Sequence, residues 1–156
     1  MSFRSFFILV ALPLLFSGCS CDKKGPKLQI INVLDKDAYD DCHIKGSINI
    51  PFEKLESEAK NLNKYTTTVV YCSNYQCTAS KMAASMLKNM NFQIVYAYEA
   101  GMADWYQKGL PLVGACQAKY LKNKNEKTEI ENDNVEVIST EALKDLIKSM
   151  LAVNVT

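Results

Sequence analysis

A chain of 156 residues with 48% apolar side chains has the material for one domain with a real core. Its formal charge is +1 and its lysines are scattered among acids, so it has no basic stripe of the kind that holds nucleic acid. A single histidine, His43, and six cysteines without a C-x-x-C offer no ready ligand set, so neither metal nor cofactor is expected.

At the N-terminus, Arg4 precedes an apolar run from Phe6 to Phe16, followed by Ser17-Gly18-Cys19. That run is too short to span a bilayer, which takes about 20 residues. Small residues before a cysteine mark processing, so residues 1–18 read as a signal peptide. The segment resembles a bacterial lipoprotein signal, in which Cys19 is lipidated and begins the mature chain; ordinary secretion and an uncleaved anchor are the alternatives. The resemblance implies an exported, periplasm-facing protein held at the cell envelope, with the membrane as partner through the lipid. Arg4 is the only arginine, so the mature chain carries seventeen lysines against seventeen acids. Residues 19–27, with Gly25-Pro26, read as the lipidated tether.

The ordered domain is expected over 28–116. Leu28 to Leu34 is a short strand candidate, Asp35 to Asp41 a short helix with an acidic start, and Ser47 to Ile50 a second strand before Pro51. A helix from about Phe52 to Leu62 follows. Thr66 to Tyr71, ending Val69-Val70-Tyr71, has the β-branched and aromatic character of a strand buried on both faces of a parallel sheet. After it, Ala79, Met82, Ala83, Met86, Leu87 and Met90 recur at helical spacing as one apolar stripe. Gln93 to Tyr98 is the next strand, and Gly101 to Lys108 a short helix carrying Trp105, read as core packing. Strands alternate with helices, so the class is α/β, a single domain with a mostly parallel central sheet flanked by helices on both faces.

Residues 117–134, rich in Lys, Asn and Glu, read as a charged linker. In the piece over 135–151, Val135 to Ile138 suits a strand, Ser139 can cap a helix, and Leu143, Leu146, Ile147 and Met150 form an apolar face. That face needs a partner.

Chemistry concentrates at Cys72, at the carboxyl end of an apolar strand and the head of the loop Cys72-Ser-Asn-Tyr-Gln-Cys-Thr78. Loops of this kind present unpaired N–H groups near a helix start, and such a cradle lowers a thiol pKa from about 8.5 by one to several units. Cys72 is therefore expected to be a nucleophile; a buried packing thiol is the bland alternative. Cys77 is a second thiol, read either as a resolving cysteine or as a small residue filling space. Tyr75 and Gln76 are placed at the pocket mouth, and Lys81 as the nearest cation in sequence. Cys42 and Cys116 are candidates for a structural disulfide at a distance the sequence leaves open.

From Ile31 to Val113 the chain resembles a rhodanese domain. Cys42-His43-Ile44-Lys45-Gly46-Ser47-Ile48-Asn49-Ile50-Pro51 is similar to the family's G-H-I-x-G-A-x-N-I-P segment, and Val69-Val70-Tyr71-Cys72 to its strand into the active-site cysteine. Gly101, Trp105, Gly109, Pro111 and Val113 match its closing G-x-x-x-W-x-x-x-G-x-P-x-V pattern. The resemblance implies a sulfurtransferase cycle in which Cys72 takes sulfane sulfur from a small donor and passes it to a thiol or other nucleophilic acceptor. The N–H groups of Ser73, Asn74, Tyr75, Gln76, Cys77 and Thr78 would hold the persulfide. His43 has the position of a structural histidine.

The chain departs from the family where substrate charge is handled. The usual Asp-x-Arg after the first strand is Asn32-Val33-Leu34, and the loop arginine is Cys77. Arginine supplies bidentate recognition of thiosulfate or phosphate and lysine only a point charge, so efficient use of thiosulfate is not expected. Val135 to Met150 resembles the strand and helix that open a rhodanese domain, and the front of this domain starts without them. The C-terminal segment therefore either folds back into that place or is the remnant of a second domain. Three functions stay open: a sulfurtransferase using a Cys72 persulfide, a thiol oxidoreductase using a Cys72–Cys77 disulfide, and a silent binding module.

Overall fold

The structure, a computed structural model, describes residues 28–127 and 134–153. The expected signal peptide, Cys19 and the tether lie outside the described residues. The elements run β1 Leu28–Asn32, α1 Lys36–Asp41, β2 His43–Ile44, β3 Ile48–Asn49, α2 Leu55–Glu58, β4 Thr67–Tyr71, α3 Ala79–Asn89, β5 Val95–Tyr98, α4 Gly101–Gln107, β6 Leu112–Val113, β7 Glu136–Val137 and α5 Thr140–Val153.

Five strands form one sheet in the order β3-β1-β4-β5-β7, every neighbouring pair parallel. β2 and β6 form a separate antiparallel ribbon. Parallel strands carry apolar residues on both faces because helices cover both. One core layer holds Ile31, Val70 and Cys72 with Leu55 of α2 and Ala83 and Leu87 of α3. The opposite layer holds Ile30, Val69 and Tyr71 with Trp105 of α4, Leu121 and Leu143 of α5. The period-two alternation of β4 thus sends Tyr71 to one face and Cys72 to the other, towards α3.

Local signals set the helix starts. Asp35 accepts from the Ala38 N–H at 2.8 Å and caps α1, and Ser139 Oγ accepts from the Ala142 N–H at 3.2 Å at the start of α5. The helix expected over 52–62 is instead a 3₁₀ turn Phe52–Lys54, the four-residue α2 and a second 3₁₀ turn Ala59–Asn61. Only Leu55 and Ala59 are buried there, so little packing enforces a longer regular helix. The stripe expected on α3 is also rotated. Ser80, Ala83, Ala84 and Leu87 form the buried face, and Met82 is 54% exposed.

The charged segment after Cys116 is not a free linker in its first half. The Cys42–Cys116 disulfide ties it down, with Cα atoms 4.6 Å apart. The Asp41 carboxylate accepts from the N–H groups of Gln117 and Ala118, both at 2.9 Å. A 3₁₀ turn Lys119–Lys122 then buries Leu121 fully. One apolar residue at the right place outweighs the polar composition that suggested solvation.

The C-terminal piece from 134 onward folds back onto the domain. β7 pairs with β5, Tyr96 opposite Glu136 and Ala97 opposite Val137, and Leu143 is fully buried. Thr140 Oγ1 bonds the Tyr98 hydroxyl at 2.9 Å and donates to the Asp104 carboxylate. Lys108 Nζ bridges Asp104 at 2.9 Å and Glu141 at 2.8 Å.

Candidate active site

β4 delivers Cys72 to the carboxyl edge of the sheet, where the loop 72–78 turns into α3. α4 starts on the far side of that loop and fixes it. The Met102 N–H donates to Cys72 O at 3.0 Å and the Ala103 N–H to Ser73 O at 2.8 Å. This close approach needs Gly101, with φ +61°, because a Cβ there would sit 2.7 Å from Ser73 C and 2.8 Å from Asn74 N. Gly101→Ala is therefore expected to cost about 2–4 kcal/mol, from left-handed strain plus a backbone clash. Thermal unfolding checks the cost, and thiol alkylation shows whether the loop has moved.

Three of the six N–H groups expected to cradle a thiolate on Cys72 are engaged elsewhere. Tyr75 N–H donates to Asn125 Oδ1 at 3.1 Å, Gln76 N–H to Asn74 Oδ1 at 3.2 Å and Cys77 N–H to Asn74 O at 3.1 Å. Cys72 itself is fully buried. Its sulfur lies 3.1 Å from Cys77 O, 3.4 Å from Ser80 Oγ and 4.0 Å from Asn74 O. Carbonyl oxygens accept a thiol proton and repel a thiolate, and the N–H and hydroxyl of Ser80, which favour a thiolate, are outweighed by burial and the neighbouring sulfur.

Cys77 has the opposite surroundings. It is half-buried, and its sulfur receives hydrogen bonds from the Cys72 thiol, the Ala79 N–H, and the N–H and hydroxyl of Ser73. The hydrogen bond from Cys72, supported by these donors and opposed by burial, holds Cys77 down at about 5. The same shared hydrogen bond, followed by burial, pushes the Cys72 thiol up. The lowered thiol pKa that the loop position suggested for Cys72 falls on Cys77.

Lys81, the nearest cation in sequence, is tied to Glu99 at 3.0 Å, both side chains largely buried. His43 is structural as read, its ring Nδ1 2.8 Å from Tyr39 O and stacked on Tyr39 with centroids 3.9 Å apart. Trp105 is buried and donates to Pro111 O at 2.9 Å. Thr78 lies at the edge of a groove beside α3 that Met82, Met86, Met90 and Glu56 also line. Among the described residues no cluster of His, Cys, Asp and Glu is arranged to hold a metal ion.

Two residues that touch the loop were not singled out in the sequence. Ser80 was readable, since it falls in phase with Ala83, Ala84 and Leu87 at helical spacing. Asn125 was not, because it lies fifty residues from Tyr75 in a polar stretch. Its side chain accepts from Tyr75 N–H and donates to Ala100 O at 2.8 Å, while Gln76 Nε2 donates to Glu126 O at 3.2 Å. Residues 119–126 thus strap the rim of the loop.

The domain has counterparts among known proteins. The rhodanese-like domain family model matches residues 21–108, more than half of the chain. The chain belongs to the rhodanese-like family. A thiosulfate sulfurtransferase, GlpE of Coxiella burnetii, is 29% identical over 82 residues, which cover 53% of this chain and 75% of that protein. The candidate sulfur carrier protein YrkF of Bacillus subtilis is 32% identical over 81 residues, 52% of this chain and 43% of that one. Among solved structures, the rhodanese_3-like domain of Alr3790 from Anabaena superposes with a TM-score of 0.51 at 29% identity, over 55% of this chain and 98% of that domain. BH2092 from Bacillus halodurans superposes with a TM-score of 0.54 at 27% identity, over 58% of this chain and 66% of its own. The match therefore spans less than half of the length of YrkF and just under two thirds of BH2092. In this rhodanese-like domain the loop position given to arginine in the family holds the second thiol.

Proposed function

We propose that this chain is an exported, lipid-anchored sulfane-sulfur carrier of the sulfurtransferase type. It holds sulfur as a persulfide on Cys72 and passes it to a thiol or other nucleophilic acceptor. The observation that carries this reading is the pair of free thiols, Cys72 and Cys77, in one loop at the carboxyl edge of β4 in a rhodanese-like domain, the Cys72 sulfur 3.1 Å from Cys77 O. The sulfurtransferase and carrier relatives support sulfur as the group handled. The Cys42–Cys116 disulfide supports an oxidising compartment, in keeping with the signal-like N-terminus and lipidation at Cys19.

Donors of low charge suit this site. The domain has no arginine to grip a dianion, and Lys81 is paired with Glu99. The persulfide of a small thiol is expected to load the protein at least tenfold faster than thiosulfate at equal concentration.

Intact-mass measurement of the full chain after exposure to a small-thiol persulfide, a polysulfide or a thiosulfonate tests the reading. The expected result is a gain of one sulfur, mapped to Cys72, and no gain in a Cys72→Ser/Cys77→Ser double variant. A mass unchanged under every donor would leave only a binding module. The contact between the two sulfurs favours one second reading, a thiol–disulfide carrier, which the same experiment shows as a loss of two hydrogens across the pair. For the anchor, metabolic labelling with a fatty-acid analogue is expected to mark the chain and to fail in Cys19→Ala.

A further inference from the structure

We propose that sulfane sulfur enters at Cys77 and moves from there to Cys72, so that Cys77 is the more accessible port of a two-thiol relay. This rests on the carrier reading above and adds the order of events within it.

Three observations carry it. Cys72 has no exposed surface, whereas Cys77 is half-buried, so an incoming donor reaches Cys77 first. The carbonyl oxygens of Cys77 and Asn74 lie by Cys72, where burial outweighs the N–H and hydroxyl of Ser80, whereas Cys77 has donors from Ser73 and Ala79 and is only half-buried. Donors stabilise an anionic sulfur, so the thiolate and then a persulfide anion are favoured at Cys77. Finally, the two thiols stand five residues apart in one loop, with the Cys72 sulfur 3.1 Å from Cys77 O, so the second transfer is an intramolecular step.

Both steps close without an external oxidant. In loading, the Cys77 thiolate attacks the outer sulfur of a donor R–S–SH and the donor S–S bond breaks. The products are the Cys77 persulfide anion and the thiol R–SH, whose proton comes from the donor. In the relay, the Cys72 thiol gives its proton to the terminal sulfur of that persulfide anion, and the resulting Cys72 thiolate attacks this sulfur as the Cys77 S–S bond breaks. Cys77 leaves as thiolate, and the Cys72 proton ends on the terminal sulfur as Cys72–S–SH. One sulfur moves, and the charge on the pair is −1 before and after. Cys77, having released its sulfur, is ready to accept another or to carry the stored one out.

The test has two arms on the full chain. In the first, brief alkylation of the wild-type protein with iodoacetamide is followed by peptide mapping across pH. Cys77 is expected to react at least tenfold faster than Cys72, at a rate that falls as pH drops through about 5, where its thiolate takes up a proton. Faster reaction at Cys72, or a Cys77 midpoint near the usual thiol value of about 8.5, overturns the proposal. In the second arm, the persulfide of free cysteine is the donor. Cys72→Ser is expected to trap the sulfur on Cys77, and Cys77→Ser to load Cys72 at least tenfold more slowly than wild type. Loading of Cys77→Ser at the wild-type rate overturns the relay and leaves the carrier reading intact. A wild-type chain that is alkylated at Cys77 yet accepts no sulfur overturns the carrier reading and the relay with it.

Discussion

Removal of residues 117–156 is expected to lower the melting temperature by more than about 10 °C and to loosen the cysteine loop. The segment contributes two fully buried leucines, Leu121 and Leu143, each worth about 1.5–3 kcal/mol in apolar burial. At about 4–8 °C per kcal/mol for a domain of this size, that burial alone accounts for the drop. Truncation also removes Thr140, leaving the buried Tyr98 hydroxyl without its 2.9 Å partner, and an unpaired buried hydroxyl costs about 1–3 kcal/mol more. The loop loses Asn125, which joins Tyr75 N–H to Ala100 O. A milder version is Leu143→Ala, expected to cost about 2–5 kcal/mol from the cavity it leaves. Thermal unfolding followed by circular dichroism checks both. An unchanged melting temperature in the truncated chain would mean that the C-terminal piece is not part of the domain.

The second large effect concerns the Cys42–Cys116 disulfide. It closes a loop with a sequence separation of 74, for which the chain-entropy model gives about 4 kcal/mol of stabilisation. Reduction is therefore expected to lower the melting temperature by roughly 15 °C. A Cys42→Ala/Cys116→Ala variant should melt low and no longer respond to reductant, which separates this bond from any effect on Cys72 and Cys77. The consequence reaches the site, because the disulfide anchors the start of the strap that meets the loop at Tyr75 and Gln76. Equal melting temperatures with and without reductant would show that the Asp41 hydrogen bonds to Gln117 and Ala118 suffice to hold the strap.

Much of the fold was legible in short windows. Val69-Val70-Tyr71 announces a doubly covered strand, Asp35 and Ser139 announce helix starts, and the Gly101-to-Val113 spacing announces a closing helix and turn. Each is a local pattern with a local cause. Errors came where packing overrode the pattern. Met82 fits the helical stripe by spacing yet points to solvent, because the sheet meets α3 along Ser80, Ala83, Ala84 and Leu87. Leu121 sits in a polar stretch yet is buried, because the disulfide and Asp41 hold that stretch against the domain.

By itself, the sequence determined the α/β class, the rhodanese-like resemblance and the placing of two thiols in one loop at the end of a central strand. These depend on residue type and spacing, which a linear string records. Only the tertiary structure decided that Cys42 and Cys116 pair, that Lys81 is tied to Glu99, and that β7 and α5 dock at the β5 edge of the sheet. It alone also decided that Cys72 is the fully buried thiol and Cys77 the half-buried, more accessible one. A thiol's charge state depends on the hydrogen-bond donors, acceptors and water around it, and here Ser80 and Asn125 help set them from positions eight and fifty residues away from their loop partners.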